Sequence, residues 1–160
     1  MESGVSFGAK REKGVSCVTN YFMVGTIHGG WHGQGAREML DEWIDANEWV
    51  LGWHDLESDP SYQKQVPNLA LMDVGDVLIA KQMNNDFKTM LVKAIGVVTV
   101  PATDGHRVGV NWIRDFRSSP VTLQTSYRQT LTKVSDTPKS RALIRDHIGP
   151  LLGEGLRVAQ

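Results

Sequence analysis

The chain has 160 residues, 41% of them hydrophobic and 22% charged with both signs mixed, which excludes global disorder and fits one globular domain. A chain of this length buries about 68–70% of its unfolded surface and needs no staple to fold, and its single cysteine, Cys17, excludes a disulfide framework or a four-cysteine zinc site. No apolar run approaches the ~18 residues of a membrane span, and MESGVSFGAKREKG has no signal-peptide core, so a soluble, cytoplasmic protein is expected.

The net charge of −1 conceals an asymmetry. Glu38, Asp41, Glu42, Asp45, Glu48, Asp55, Glu57 and Asp59 follow one another with no Lys or Arg between them, leaving the other acids outnumbered by all 17 bases. One acidic side and a basic remainder can steer a polyanion onto one face, although ordinary solvated charge reads the same way.

Residues 1–16, with Lys10, Arg11 and Lys13, read as a flexible polar tail, and 17–160 as a single domain. The β-branched and aromatic run Val18–Ile27 predicts a buried strand, with Cys17 a packed thiol at its start. HGGWHGQG, four glycines in eight residues, predicts a loop. Ala36, Met39, Leu40, Trp43 and Ile44 then form the apolar stripe of a helix that Asn47 stops. Trp49–His54 reads as a short strand or extended segment, Ser58–Asn68 as a long polar loop, and DVGD (Asp73–Asp76) as a turn into the strand DVLIAK. MLVKAIGVVTV is a long strand that Gly96 bends or bulges, and RVGVNWI alternates with Val108, Val110 and Trp112 on one face. A strand is expected around Val121–Leu123. A helix then starts with Thr137 as cap and Pro138 as first residue, carries Leu143, Ile144 and Ile148, and ends at Gly149. Short strands with peripheral helices predict an α+β domain around a small curved sheet or barrel.

The five tryptophans are the unusual feature. Trp43 belongs to the helix stripe, but Trp31 lies in the glycine-rich loop and Trp49 and Trp53 flank Gly52, which leaves room beside the indoles. Such walls can sandwich a base or enclose a cation, and the competing reading is that all five fill the core. His28, His32 and His54 suggest a metal-assisted hydrolase, but Gly29, Gly30 and Trp31 between the first two oppose a helical metal pair. No GxSxG, HExxH or GxxxxGK[ST] is present, so the sequence points to no catalytic residue, resident metal or cofactor.

In this order, the first strand, the loop with Trp31, the acidic helix, W-V-L-G-W, V-G-D-V-L-I-A-K, A-I-G-V-V and V-G-V-N-W-I resemble the EVE-like branch of the PUA-like superfamily, which also includes the YTH domains. The resemblance covers roughly residues 18–117 and implies a small PUA-like β-barrel flanked by helices, the last around 138–148. It further implies a nucleic-acid-binding module that holds a flipped, modified base in an aromatic pocket, as in modification-dependent restriction systems and phage defence. Carried over by position, Trp31, Trp49 and Trp53 are the pocket wall and Asp55 and Asn111 the base-edge partners. Lys81, Lys88, Arg107, Arg114 and Arg117 are the phosphate contacts. The Trp-Ser-x-Pro pattern of typical EVE proteins is absent, and no nuclease or ATPase region follows, so the expected partners are DNA or RNA and a separate effector protein. The alternatives are the hydrolase built on His28, His32 and His54 and a regulator that docks a protein through its acidic helix.

Overall fold

The structure, a computed structural model, describes residues 19–28, 37–51, 60–103 and 106–153. The predicted tail 1–16 and Cys17 lie outside them. The architecture is α+β: a seven-stranded sheet curls into a half-barrel, with helices packed against it.

The centre of the sheet is a meander formed by β5 (Val77–Met83), β6 (Met90–Val100) and β7 (Arg107–Asp115). The eleven residues of β6 pair with β5 along one side and with β7 and then β8 (Val121–Leu123) along the other. Beyond β7 lies the short β4 (Glu48–Val50), and beyond β5 lies β1 (Tyr21–Gly25), parallel to β5 and followed by β9 (Leu131–Lys133). The DVGD turn launches β5, with Gly75 at φ +94° and the Asp76 carboxylate accepting from Asp73 N and Asn20 N.

Strands β1 and β5 are apolar on both faces because each face has its own core. Phe22, Val24, Leu78 and Ala80 join the cluster beneath α1 (Leu40–Ala46) and α2 (Pro60–Ala70), with Leu40, Trp43, Trp49 and Leu69. Met23, Val77 and Ile79 point the other way, onto Leu123, Val134 and the C-terminal helical stretch through Ile144, Ile148 and Leu152. Three register shifts along β6 let one long strand serve the curl. Lys93 is an extra residue opposite the Ala80–Lys81 step, and the register with β7 shifts at Val98–Val100 and at Ile95–Gly96, where Ile113 of β7 is the extra residue. Gly96 is required there, because a Cβ would collide with Val110 and Trp112. The irregularity expected at Gly96 is present as a register shift against β7.

Some predicted boundaries change. Arg37–Glu38 is not helical but a two-residue strand, β3, paired with β2 (Ile27–His28); the helix begins at Leu40 because the ribbon uses the residues before it. Its stop at Asn47 is as expected, at φ 57°. Within the expected loop 58–68, Pro60 onwards forms α2, whose buried side carries Gln65 where an apolar residue would have revealed the stripe. Gln65 Oε1 accepts from Leu131 N at 2.7 Å, which also accounts for the unpredicted β9. Thr137 caps α3 (Pro138–Leu143) by accepting from Ser140 N, as expected. Gly149 does not end the helix: a π-helical stretch, Ile144–Ile148, passes into α4 (Gly149–Leu152), and the stop is Gly153 at φ +86°. Pro150 has no N–H to leave unsatisfied in a new first turn, so the helix restarts there.

Candidate functional site

At its C-terminal end β1 meets the tryptophans. Trp49 Nε1 donates to the Gly25 carbonyl at 2.9 Å, and its ring stands edge-on to Trp43 at 5.9 Å between centroids. Trp43 in turn meets His28 edge-on at 5.2 Å. The Trp49 ring has no exposed surface, so it is a core residue with its one donor satisfied. Trp112, half-buried on β7, gives its N–H to the Glu48 carbonyl at 3.1 Å.

Two histidines bind this region to the chain on either side. His28 Nε2 lies 3.3 Å from the Val50 carbonyl. His106, buried, places Nδ1 3.1 Å from the Leu51 carbonyl, while Leu51 N donates to the His106 carbonyl. The point where the chain departs into 29–36 is thereby held against the point where it departs into 52–59. Trp31, Trp53 and Asp55 fall in those segments and lie outside the described residues, as do His32 and His54. Among the described residues no three His, Cys, Asp or Glu side chains group to hold a metal, and no helix is long and apolar enough to cross a membrane.

Asn111 is exposed and, by the alternation of β7, on the opposite face from Val110 and the tryptophan core, so it is not brought together with Trp49. The five candidate phosphate contacts separate into different environments. Lys81 is sealed in β5 at 3% exposure, its Nζ donating to the Gln129 carbonyl at 2.8 Å, and burial lowers its pKa to about 8. It holds chain to chain and does not meet solvent. Arg107 pairs with Glu48. Arg117 pairs with Asp115 and Asp41, and its hydrogen bonds hold the Asp115 carboxyl below the usual carboxylate range. Arg114 stands over the Phe116 ring at 5.6 Å, and Lys88 is exposed at the β5–β6 turn; neither forms an ion pair among the described residues.

Sequence reasoning missed the polar knot at the foot of the β2–β3 ribbon. Glu38 accepts from Lys93 Nζ at 2.5 Å, from Thr26 Oγ1 at 3.3 Å and from Leu40 N at 3.2 Å. Lys93 reaches it because it is the bulged residue of β6, which no local pattern announces. A separate open cavity of about 530 Å³ lies between the residues that follow β8 and the C-terminal helix, lined by Ser126, Tyr127, Ser135, Lys139 and His147 among others. None of the candidate base or phosphate contacts lines it.

No protein-family model matches this chain. No curated protein matches it. Among solved structures, the X-ray crystal structure of protein Atu2648 from Agrobacterium tumefaciens is similar over 79% of this chain and 90% of that one, at 17% identity and a TM-score of 0.46, values too low to transfer fold or function.

Proposed function

We propose that the protein is a PUA-like, EVE-type reader of nucleic acid that takes a flipped, modified base into an aromatic pocket and serves a separate effector. The observation that carries this reading is the junction of His28 with Val50. Trp31 follows His28 by three residues and Trp53 follows Val50 by three, and His28 Nε2 lies 3.3 Å from the Val50 carbonyl, so the two tryptophan-bearing segments leave from neighbouring points of the chain. Trp43 and Trp49 form an apolar floor beneath that junction. A flipped base needs stacking faces and a few edge contacts, and the pocket must offset an unstacking cost of a few kcal/mol. Trp31 and Trp53 supply faces, and Asp55 supplies an edge partner. Of the phosphate contacts, Lys88 and Arg114 are the two that are exposed and have no acid partner among the described residues.

Titration of oligonucleotides with and without a methylated base, at two salt concentrations, tests the reading. Preference for the methylated base is expected, and Trp53→Ala is expected to abolish that preference while leaving weak, salt-sensitive binding, since one lost stacking partner costs about 1–3 kcal/mol. A folded Trp53→Ala protein that discriminates as well as the wild type removes the pocket.

A further inference from the structure

The turn between β5 and β6 holds a side chain in a conformation its own chemistry opposes. Phe87 has φ +56°, left-handed backbone. The other described non-glycine residue there is Asn47, of a type that tolerates this region, whereas a bulky aromatic is strained in it. Glycine or asparagine would relieve that strain.

The turn nevertheless fixes the residue firmly. Phe87 N donates to the Asn84 carbonyl and Asn84 N to the Thr89 carbonyl, each at 3.0 Å. The Asp86 carboxylate accepts from Lys88 N at 2.9 Å and Thr89 N at 3.1 Å, and these N–H groups hold its pKa below the ordinary value. Asn84 Nδ2 donates to Thr89 Oγ1 at 2.8 Å. The nearby acid is thus engaged within the turn.

Core packing does not explain the strained ring. Phe87 is 55% exposed, belongs to neither hydrophobic cluster, and has the Arg128 guanidinium over its ring at 5.3 Å from the centroid. Arg128 is positioned from behind, because Lys81 on β5 grips the carbonyl of the next residue, Gln129. Lys88 is exposed immediately beside the ring. Among the described residues neither Lys88 nor Arg128 has an ion-pair partner, whereas Arg107 and Arg117 do. Strain kept at an exposed position points from the outlier towards use.

We propose that Phe87, Lys88 and Arg128 form a stacking finger, on which an unpaired base of a nucleic acid lies against the open part of the Phe87 ring while the two cations take flanking phosphates. The finger rests on the nucleic-acid reading above and adds to it a contact separate from the aromatic pocket. An aromatic face accepts any base, and unpaired cations accept any phosphate, so the finger strengthens binding without base identity. Discrimination stays with the pocket.

The test titrates single-stranded oligonucleotides, with and without a methylated base, against the full chain and its Phe87→Gly and Phe87→Leu variants. Phe87→Gly removes both ring and strain; Phe87→Leu keeps the bulk without a π face. Both are expected to keep the wild-type melting temperature within a few degrees, to bind every oligonucleotide roughly tenfold more weakly, and to leave the ratio between methylated and unmethylated strands unchanged. Arg128→Gln together with Lys88→Gln is expected to flatten the salt dependence. If wild type binds and either Phe87 variant binds as tightly, the finger is overturned and the pocket reading stands. If the Phe87 variants lose only the methylation preference, the ring belongs to the pocket and the finger is again overturned. Wild type that binds no oligonucleotide overturns the nucleic-acid reading and the finger with it. Polyglutamate of matched charge bound as tightly as the oligonucleotide also overturns the finger, since a polyanion without bases would then suffice.

Discussion

Two aromatic regions of this protein treat their rings in opposite ways. Around β1, α1 and β4, Trp43 and Trp49 are buried edge-on to each other and the Trp49 N–H is answered by a backbone carbonyl. At the β5–β6 turn, Phe87 is exposed, strained and covered on one side only by a cation. The first arrangement is fully accounted for by folding. The second uses a rigid backbone to keep an apolar ring in water, which folding alone does not ask for. Burial and satisfied donors identify rings that make the protein stable; exposure against a local cost identifies rings available to something else.

The largest effect expected from testing this contrast lies at Trp49. Trp49→Ala empties a core position and leaves the Gly25 carbonyl without its donor, so a loss of about 3–5 kcal/mol is expected in urea unfolding. A loss below about 1 kcal/mol would mean that the ring is not a core element.

Lys81 gives the next effect. Its folded pKa, about 8, lies below the ordinary 10.5, so between these values the unfolded chain holds a proton that the folded chain has released. Stability therefore rises with pH through this window, by at most about 3 kcal/mol across the whole of it. Burial raises the Tyr21 phenol above 10, which opposes the trend at higher pH, so urea midpoints are best compared between pH 7 and 9.5. Lys81→Met should flatten the rise, and a wild-type midpoint that falls over this range would contradict the buried-cation assignment.

The smallest effect belongs to the tip. Phe87→Gly relieves a left-handed aromatic but adds freedom to the unfolded chain, two terms of about 1 kcal/mol each that nearly cancel. Stability should change by less than about 1 kcal/mol. A larger loss would make Phe87 a packing residue after all and erase the contrast with Trp49.

The same contrast shows what was legible in the sequence. The residues of β6, its kink at Gly96, the stop at Asn47 and the Thr137–Pro138 start were readable because each depends on a local rule of periodicity, close approach or capping. Helix α2 and strand β9 were not, because Gln65 joins them through a side-chain-to-backbone bond that interrupts the apolar stripe and has no sequence signature. Trp49 carried no local mark to distinguish a floor from a wall; only its Gly25 bond and its burial do so. Phe87 was passed over because a left-handed residue is recognisable beforehand only when it is glycine or asparagine.

The position of β1 also has a consequence for the order of folding. Strands β5, β6 and β7 follow one another along the chain and can zip together through short turns. Strand β1 pairs in parallel with β5, Tyr21 against Val77, and its other edge receives β9 at Leu131–Lys133. Contacts of such separation form only after the loop-closure entropy of the intervening chain has been overcome. A strand made early by the ribosome therefore waits for the meander to emerge before it can pair on one side, and for β9 before its second edge is covered. Over that interval the apolar stretch Tyr21–Gly25 stands unpaired, and an unpaired apolar strand is open to aggregation.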